Sequence, residues 1–216
     1  MIYPFLFGYN FNDRIIFEKA LTHRSYYNEN IKKSPGDNEK LEFLGDSVID
    51  LLLSQRLMER FPNLSEGELS KLRASLVNES SLASLARNLD LGQYIKLGVG
   101  ESKMGGSQKS RLLASVFEAI VGALYLDGGL TAASDFLKKQ FEQKIEEFEP
   151  STLFQSDYKT RLQEFTQKNQ KITPVYQLVN EEGPDHSKVF EVMVKVGTDL
   201  NCKGQGKTKK LSLIHI

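Results

Sequence analysis

The sequence predicts two parts: an all-α helical bundle over residues 1–148, then a small α+β unit over 156–210 in the order helix, strand, strand, strand. Three observations predict this. From Phe11 to Phe148 apolar residues recur at three- and four-residue spacings with few β-branched alternations, the period of helices packed on one another. After Pro150 the spacing changes to a period of two. Charge divides at the same place: residues 1–150 hold 18 Lys/Arg against 21 Asp/Glu and residues 151–216 hold 10 against 7, although the whole chain balances at 28 of each. An acidic front half suits a metal site and a basic end suits a phosphate backbone, while scatter of this size is also ordinary in composition.

Within the first part, LEFLGDSVIDLLLSQRLMERF, ELSKLRASLVNESSLASLARNL and KSRLLASVFEAIVGALYLD each support four or more helical turns. Breaks are expected at Ser34-Pro35-Gly36, at Pro62, from Gly98 to Gly106 and at Gly128-Gly129, where glycine and proline interrupt the pattern. GVGESKMGGSQKS reads as a mobile surface loop. Residues 149–155 form a linker. Asp157 to Asn169 then reads as a helix with Tyr158, Leu162 and Phe165 on one face. VYQLVNE, KVFEVMVKV and TDLNCKG alternate as three strands, the first two joined by EGPDHS.

One cysteine, Cys202, in 216 residues excludes an internal disulfide framework and a cysteine-based zinc cluster, so a reducing cytoplasmic setting is expected. The opening MIYPFLFGYN is short, carries Pro4 and lacks a basic leader. It is read as neither a secretory signal nor a membrane span, and no membrane partner is expected.

NEKLEFLGDSVID, residues 38–50, sets Glu39, Glu42, Asp46 and Asp50 in otherwise apolar sequence. At about 100° per residue they fall within an arc of about 80° on a helix. A solvated face is the plain alternative. Against it, Leu41, Leu44, Val48, Leu51 and Leu52 occupy the remaining faces and Phe43, Ile49 and Leu53 flank the stripe, so the helix is expected to be central. Carboxylates among such neighbours repel one another and resist desolvation unless a cation neutralises them. Oxygen ligands without His or Cys point to Mg²⁺, with Mn²⁺ as a substitute. Gly45 costs a helix about 1 kcal/mol relative to alanine, which points to a second backbone approaching there. The expected source is the helix carrying Glu118, another lone carboxylate among apolar residues, with Gly122 one turn later.

These residues resemble the bacterial ribonuclease III family, double-strand-specific endoribonucleases. NEKLEFLGDS is similar to the family's signature helix. ALTHRSY (20–26), EGELSKLRASLVNESSLA (66–83) and FEAIVGALYLDGG (117–129) follow in the family's order, and DYKTRLQEFTQ with GPDH resembles its double-stranded-RNA-binding domain. The resemblance spans residues 12–210. It implies that Glu42, Asp46 and Glu118 ligate a divalent cation, that Glu39 and Glu66 line the cleft and assist cleavage, and that Asp50 is merely solvated. It implies hydrolysis of double-stranded RNA to 5′-phosphate and 3′-hydroxyl ends with short 3′ overhangs, in maturation of rRNA precursors and other structured RNAs. A C2 homodimer would place one acidic cluster near each strand. Phe43 would insert into the partner subunit, an ordinary core phenylalanine being the alternative. RNA contacts would come from Thr160, Gln163 and Glu164 on the helix, His186 in the turn, and Lys207, Lys209 and Lys210, the lysines being otherwise a disordered basic tail.

The sequence departs from the family pattern twice. Ser115 stands where the family carries a further metal-binding aspartate, which implies weaker metal binding, since a hydroxyl adds no charge. After GQGKTKK the family continues into a second helix, whereas LSLIHI (211–216) reads as a non-native tail, a natural truncation whose tail adds a strand being the alternative; the final helix is then missing and the sheet's apolar face open. His23, one of three scattered histidines, is expected to be structural rather than a ligand. A non-catalytic binder of double-stranded RNA is the alternative function.

Overall fold

The computed structural model describes residues 5–6, 8–148, 158–184, 188–197 and 200–206. The chain divides into two compact units, residues 1–147 and 148–216.

The first unit opens with a short antiparallel pair, β1 (Phe5–Leu6) and β2 (Tyr9–Asn10), followed by α1 (Arg14–Ala20) and α2 (Arg24–Glu29). Then come α3 (Glu39–Arg60), α4 (Glu66–Val77), α5 (Glu79–Asn88), α6 (Val99–Lys103) and α7 (Ser110–Glu146). Helices α3 and α7 form the most extensive contact in the unit, with α5 and α1 on α7 and α4 on α3. Ile49 and Leu57 of α3 and Phe117, Ile120, Leu124 and Phe141 of α7 are fully buried.

From Leu112 to Leu124, α7 is buried at all but two positions, Ser115 and Glu118. It is also the one described helix long and apolar enough to cross a membrane, yet more than half of its most apolar stretch is buried inside the fold, so it serves as the central core helix. It is not straight. Gly129, at φ 69° and ψ −169°, breaks the helical path and joins two helices end to end. Just before the break, Asp127 accepts the Tyr9 hydroxyl at 2.8 Å and the backbone N–H groups of Asn12 and Asp13 at 2.9 and 2.8 Å, fastening the start of the chain to the core helix.

Three local readings of the sequence are corrected. The run ELSKLRASLVNESSLASLARNL is two helices, because Asn78 is extended (φ −65°, ψ 156°) and its side chain accepts from Ser81 N–H, capping α5. Ser65 and Glu68 form a reciprocal capping box at the start of α4. GVGESKMGGSQKS is ordered as α6 and a 3₁₀ turn (Gly106–Gln108), tied by the Lys109–Glu101 ion pair. And α3 is not apolar and covered all round: Leu51 and Met58 are exposed.

The second unit has α8 (Tyr158–Gln170) and an antiparallel sheet in the order β3 (Val175–Glu182), β4 (Val189–Val196), β5 (Leu200–Gly206). Val192, Val194 and Val196 alternate into a buried face, paired with Leu178, Tyr176 and Gly204, Cys202, Leu200 on either side. Leu178 and Leu200, on that same face, stay about half exposed. On α8 it is Thr166 that is buried, its hydroxyl donating to the Leu162 carbonyl at 2.9 Å, whereas Phe165 is exposed. Residues 149–157, which include the expected linker, and 207–216, which include the expected tail, lie outside the described residues.

Candidate active site

Two glycines let α3 and α7 close on each other. A Cβ on Gly45 would stand 1.8 Å from the Glu118 carbonyl oxygen, and one on Gly122 would stand 2.2 Å from that of Leu41. Any side chain at either position would force the helices apart. The close approach expected at Gly45 is thus the one observed, and it brings the carboxylates of α3 opposite that of α7.

They meet in a cleft of about 740 Å³. Helix α3 lines it with Glu39, Glu42, Phe43 and Asp46, and α7 with Ser115 and Glu118. Glu118 is the most constrained of these. Burial pushes its carboxyl up to about 7, and the neighbouring charges of Glu42 and Asp46 push in the same direction. The fold therefore holds a carboxyl that ionises reluctantly.

Among the described residues no three His, Cys, Asp or Glu side chains already stand at ligand spacing. Glu42, Asp46 and Glu118 are nevertheless close enough to raise Glu118 by repulsion. Such a set suits a small hard cation that keeps several of its waters and takes only one or two carboxylates directly. Ser115, one turn before Glu118, lines the cleft and offers a hydroxyl without charge.

Glu39 sits at the cleft with its carboxylate 2.9 Å from Arg24 Nη1, both half exposed. Glu66 is at the start of α4, where it accepts from Ser70 Oγ at 2.9 Å, and is not among the residues lining the cleft, so the expectation that it lines the cleft is not met within one chain. Asp50 lies two turns along α3 beside Arg73 at 3.6 Å, so it is paired rather than simply solvated. Phe43 is 78% exposed at the cleft edge, which removes the reading of it as a core residue of this chain.

The cleft also gathers residues that the sequence reading did not place there. His23 lines it as the N-cap of α2, its Nδ1 accepting from Ser25 N–H at 3.2 Å and standing 2.8 Å from the Ser25 hydroxyl. Lys109 and Arg111 enter from the start of α7, with Glu101 of α6 below. Lys109 donates to Glu101 at 2.6 Å and holds that carboxyl below its ordinary range. No periodicity marks these positions, because they converge only once the 98–110 segment folds back.

In the second unit Gln163 and Glu164 are exposed on α8. The side chain of Thr160, and His186, Lys207, Lys209 and Lys210 altogether, lie outside the described residues.

Comparison with known proteins agrees with this arrangement. A family described as Ribonuclease-III-like matches residues 13–145, and the double-stranded RNA binding motif matches residues 158–212. Ribonuclease 3 of Bdellovibrio bacteriovorus is 49% identical over 203 residues, covering 94% of this chain and 86% of its own length. That of Syntrophobacter fumaroxidans is 47% identical over 209 residues, covering 95% and 86%. Among solved structures, the nuclease domain of ribonuclease III from Campylobacter jejuni is similar at 41% identity with a TM-score of 0.58, over 65% of this chain and 92% of that one. With relatives this close along nearly its whole length, the chain belongs to the ribonuclease III family and is an endoribonuclease carrying a double-stranded RNA binding motif.

Proposed function

We propose that the protein hydrolyses phosphodiester bonds of double-stranded RNA with the help of Mg²⁺, Mn²⁺ serving as a substitute, and leaves 5′-phosphate and 3′-hydroxyl ends with short 3′ overhangs. Its substrates would be rRNA precursors and other structured RNAs in the cytoplasm. The observation that carries this reading is the Glu118 carboxyl, raised to about 7 by burial and by Glu42 and Asp46 in an open cleft. A chain that only bound RNA would gain nothing from three mutually repelling carboxylates on a surface meant for a polyanion.

Glu42, Asp46 and Glu118 would hold the cation, and Ser115 would hydrogen-bond one of its waters. Bound there, the cation would polarise the phosphate, lower the pKa of a water and stabilise the leaving 3′ oxygen. Glu39, both of whose carboxylate oxygens accept from Arg24 Nη1 at 2.9 and 3.3 Å, stands at the same cleft and would accept a proton from an attacking water. Glu66 is assigned an assisting role by family resemblance alone.

Two strands need two cuts, and a C2 pair of chains would supply them. The support lies on α3: Phe43, Leu51 and Met58 are 78%, 57% and 62% exposed and fall within about 80° of one another around the helix. That is an apolar stripe beside the cleft with no cover in a single chain. One Campylobacter jejuni nuclease-domain structure, 43% identical with a TM-score of 0.58, is described in terms of a region involved in dimer formation of that domain.

A second reading, a double-stranded-RNA binder without cleavage, rests on Ser115. Incubating long duplex RNA with the full chain in Mg²⁺ or in EDTA, with Glu118→Ala as control, separates the two. Metal-dependent cleavage lost in Glu118→Ala is the expected result; duplex binding without cleavage would establish the binder.

A further inference from the structure

Three cationic side chains line the acidic cleft, and two are already committed. Arg24 is paired with Glu39 at 2.9 Å and Lys109 with Glu101 at 2.6 Å. Arg111 is different. It lines the same cleft, in the first turn of α7 and one turn before Ser115, its side chain is exposed, and no ion pair or hydrogen bond engages it among the described residues.

An arginine in a cleft lined by several carboxylates should fold onto the nearest of them if it can reach, since a bidentate guanidinium–carboxylate pair is a strong charge-assisted contact. Arg111 does not come within ion-pair distance of Glu42, Asp46 or Glu118, so its charge stands apart at the rim. A cleft of this sign also has a difficulty with its substrate: the carboxylates repel the phosphates that must enter. A planar guanidinium beside the acidic cluster answers that, because it matches two non-bridging phosphate oxygens at once and is weakly hydrated.

We infer that Arg111 is a phosphate-binding residue of the active cleft, gripping a backbone phosphate of the RNA strand next to the acidic cluster through two non-bridging oxygens. The inference rests on the proposed function for its substrate but makes its own demand. Each phosphate a cation neutralises contributes about 0.7–0.9 to the slope of log affinity against log salt.

The test is binding of a fluorescent 30-base-pair RNA duplex to the full-length wild type, Arg111→Ala and Arg111→Lys, by anisotropy in Ca²⁺ at several salt concentrations. Cleavage in Mg²⁺ is followed in parallel. Arg111→Ala is expected to bind about 3–10-fold more weakly with a slope shallower by about 1, and to raise KM with little change in kcat. Arg111→Lys should recover the slope but only part of the affinity, since the ammonium cannot grip bidentately. Unchanged affinity and slope in Arg111→Ala would overturn the inference. If wild type binds without cleaving, the proposed function fails while the slope still decides the role of Arg111; if wild type does not bind the duplex, both fail.

Discussion

Gly45 faces the backbone carbonyl of Glu118 so closely that a Cβ there would stand 1.8 Å from its oxygen. The same approach that packs α3 on α7 sets the depth of the carboxylate cleft, so packing and chemistry share one contact. Gly45→Ala must push backbone against backbone, with no flexible side chain to yield. It is expected to cost at least about 3 kcal/mol by urea denaturation and to abolish metal-dependent cleavage. Gly67, on α4, has nothing within 4 Å of such a Cβ, so Gly67→Ala should be neutral or stabilising by up to about 1 kcal/mol. Equal costs at the two positions would refute the close-packing account.

The raised Glu118 carboxyl makes metal-free stability depend on pH in a definite direction. Its folded value, about 7, lies above the ordinary 4.5, so between those pH values the folded state holds a proton the unfolded chain has lost. Stability then falls as pH rises from about 4.5 to 7 and levels off above. Glu118→Gln should remove that fall. In EDTA it is expected to melt above wild type at pH 8 by about 2–4 °C, equivalent to about 1 kcal/mol once solvent screening of a partly exposed carboxyl is allowed for, and to match it near pH 4.5. A difference independent of pH would show that the carboxyl is not strained by its neighbours.

Ser115 supplies no charge to a cleft otherwise ready for a cation. Ser115→Asp should lower the Mg²⁺ concentration for half-maximal cleavage several-fold by adding a carboxylate one turn from Glu118. Identical Mg²⁺ curves for the two proteins would show that the position does not matter here.

Asp127 joins the start of the chain to the break in α7. Burial pushes its carboxyl up, but the backbone N–H groups of Asn12 and Asp13, with the Tyr9 and Asn12 side chains, outweigh this and hold it below its usual value. That stabilisation is present above the ordinary aspartate range and is lost as pH falls through the lowered folded value. Asp127→Ala should cost about 2 kcal/mol at pH 7 and progressively less in acid. A deficit that persists undiminished at low pH would point to lost packing rather than lost charge.

Much of the site was legible in the sequence for physical reasons. Carboxylates within an apolar run, and a glycine that weakens the helix carrying them, are both local costs, and both predicted the meeting of Glu42 and Asp46 with Glu118. What escaped depended on contacts that periodicity cannot report. The 98–110 segment looked like a loop because its glycines hide a short helix, so Glu101 and Lys109 were not placed at the cleft. The exposure of Phe165 and burial of Thr166 went unforeseen because a hydroxyl that donates back to its own helix behaves as an inward-facing side chain. Asn78 was passed over as a helix-interior residue, although asparagine before Glu and Ser is a ready N-cap.

The account turns on Glu42, Asp46 and Glu118 forming a cation site, and direct Mn²⁺ binding tests it most plainly. Titration calorimetry or the Mn²⁺ electron paramagnetic resonance signal at pH 8, on wild type and Glu118→Gln, reads it without any RNA. Saturable binding to wild type that weakens at least 10-fold in Glu118→Gln is the predicted result; equal affinity in both proteins, or none in either, would contradict it.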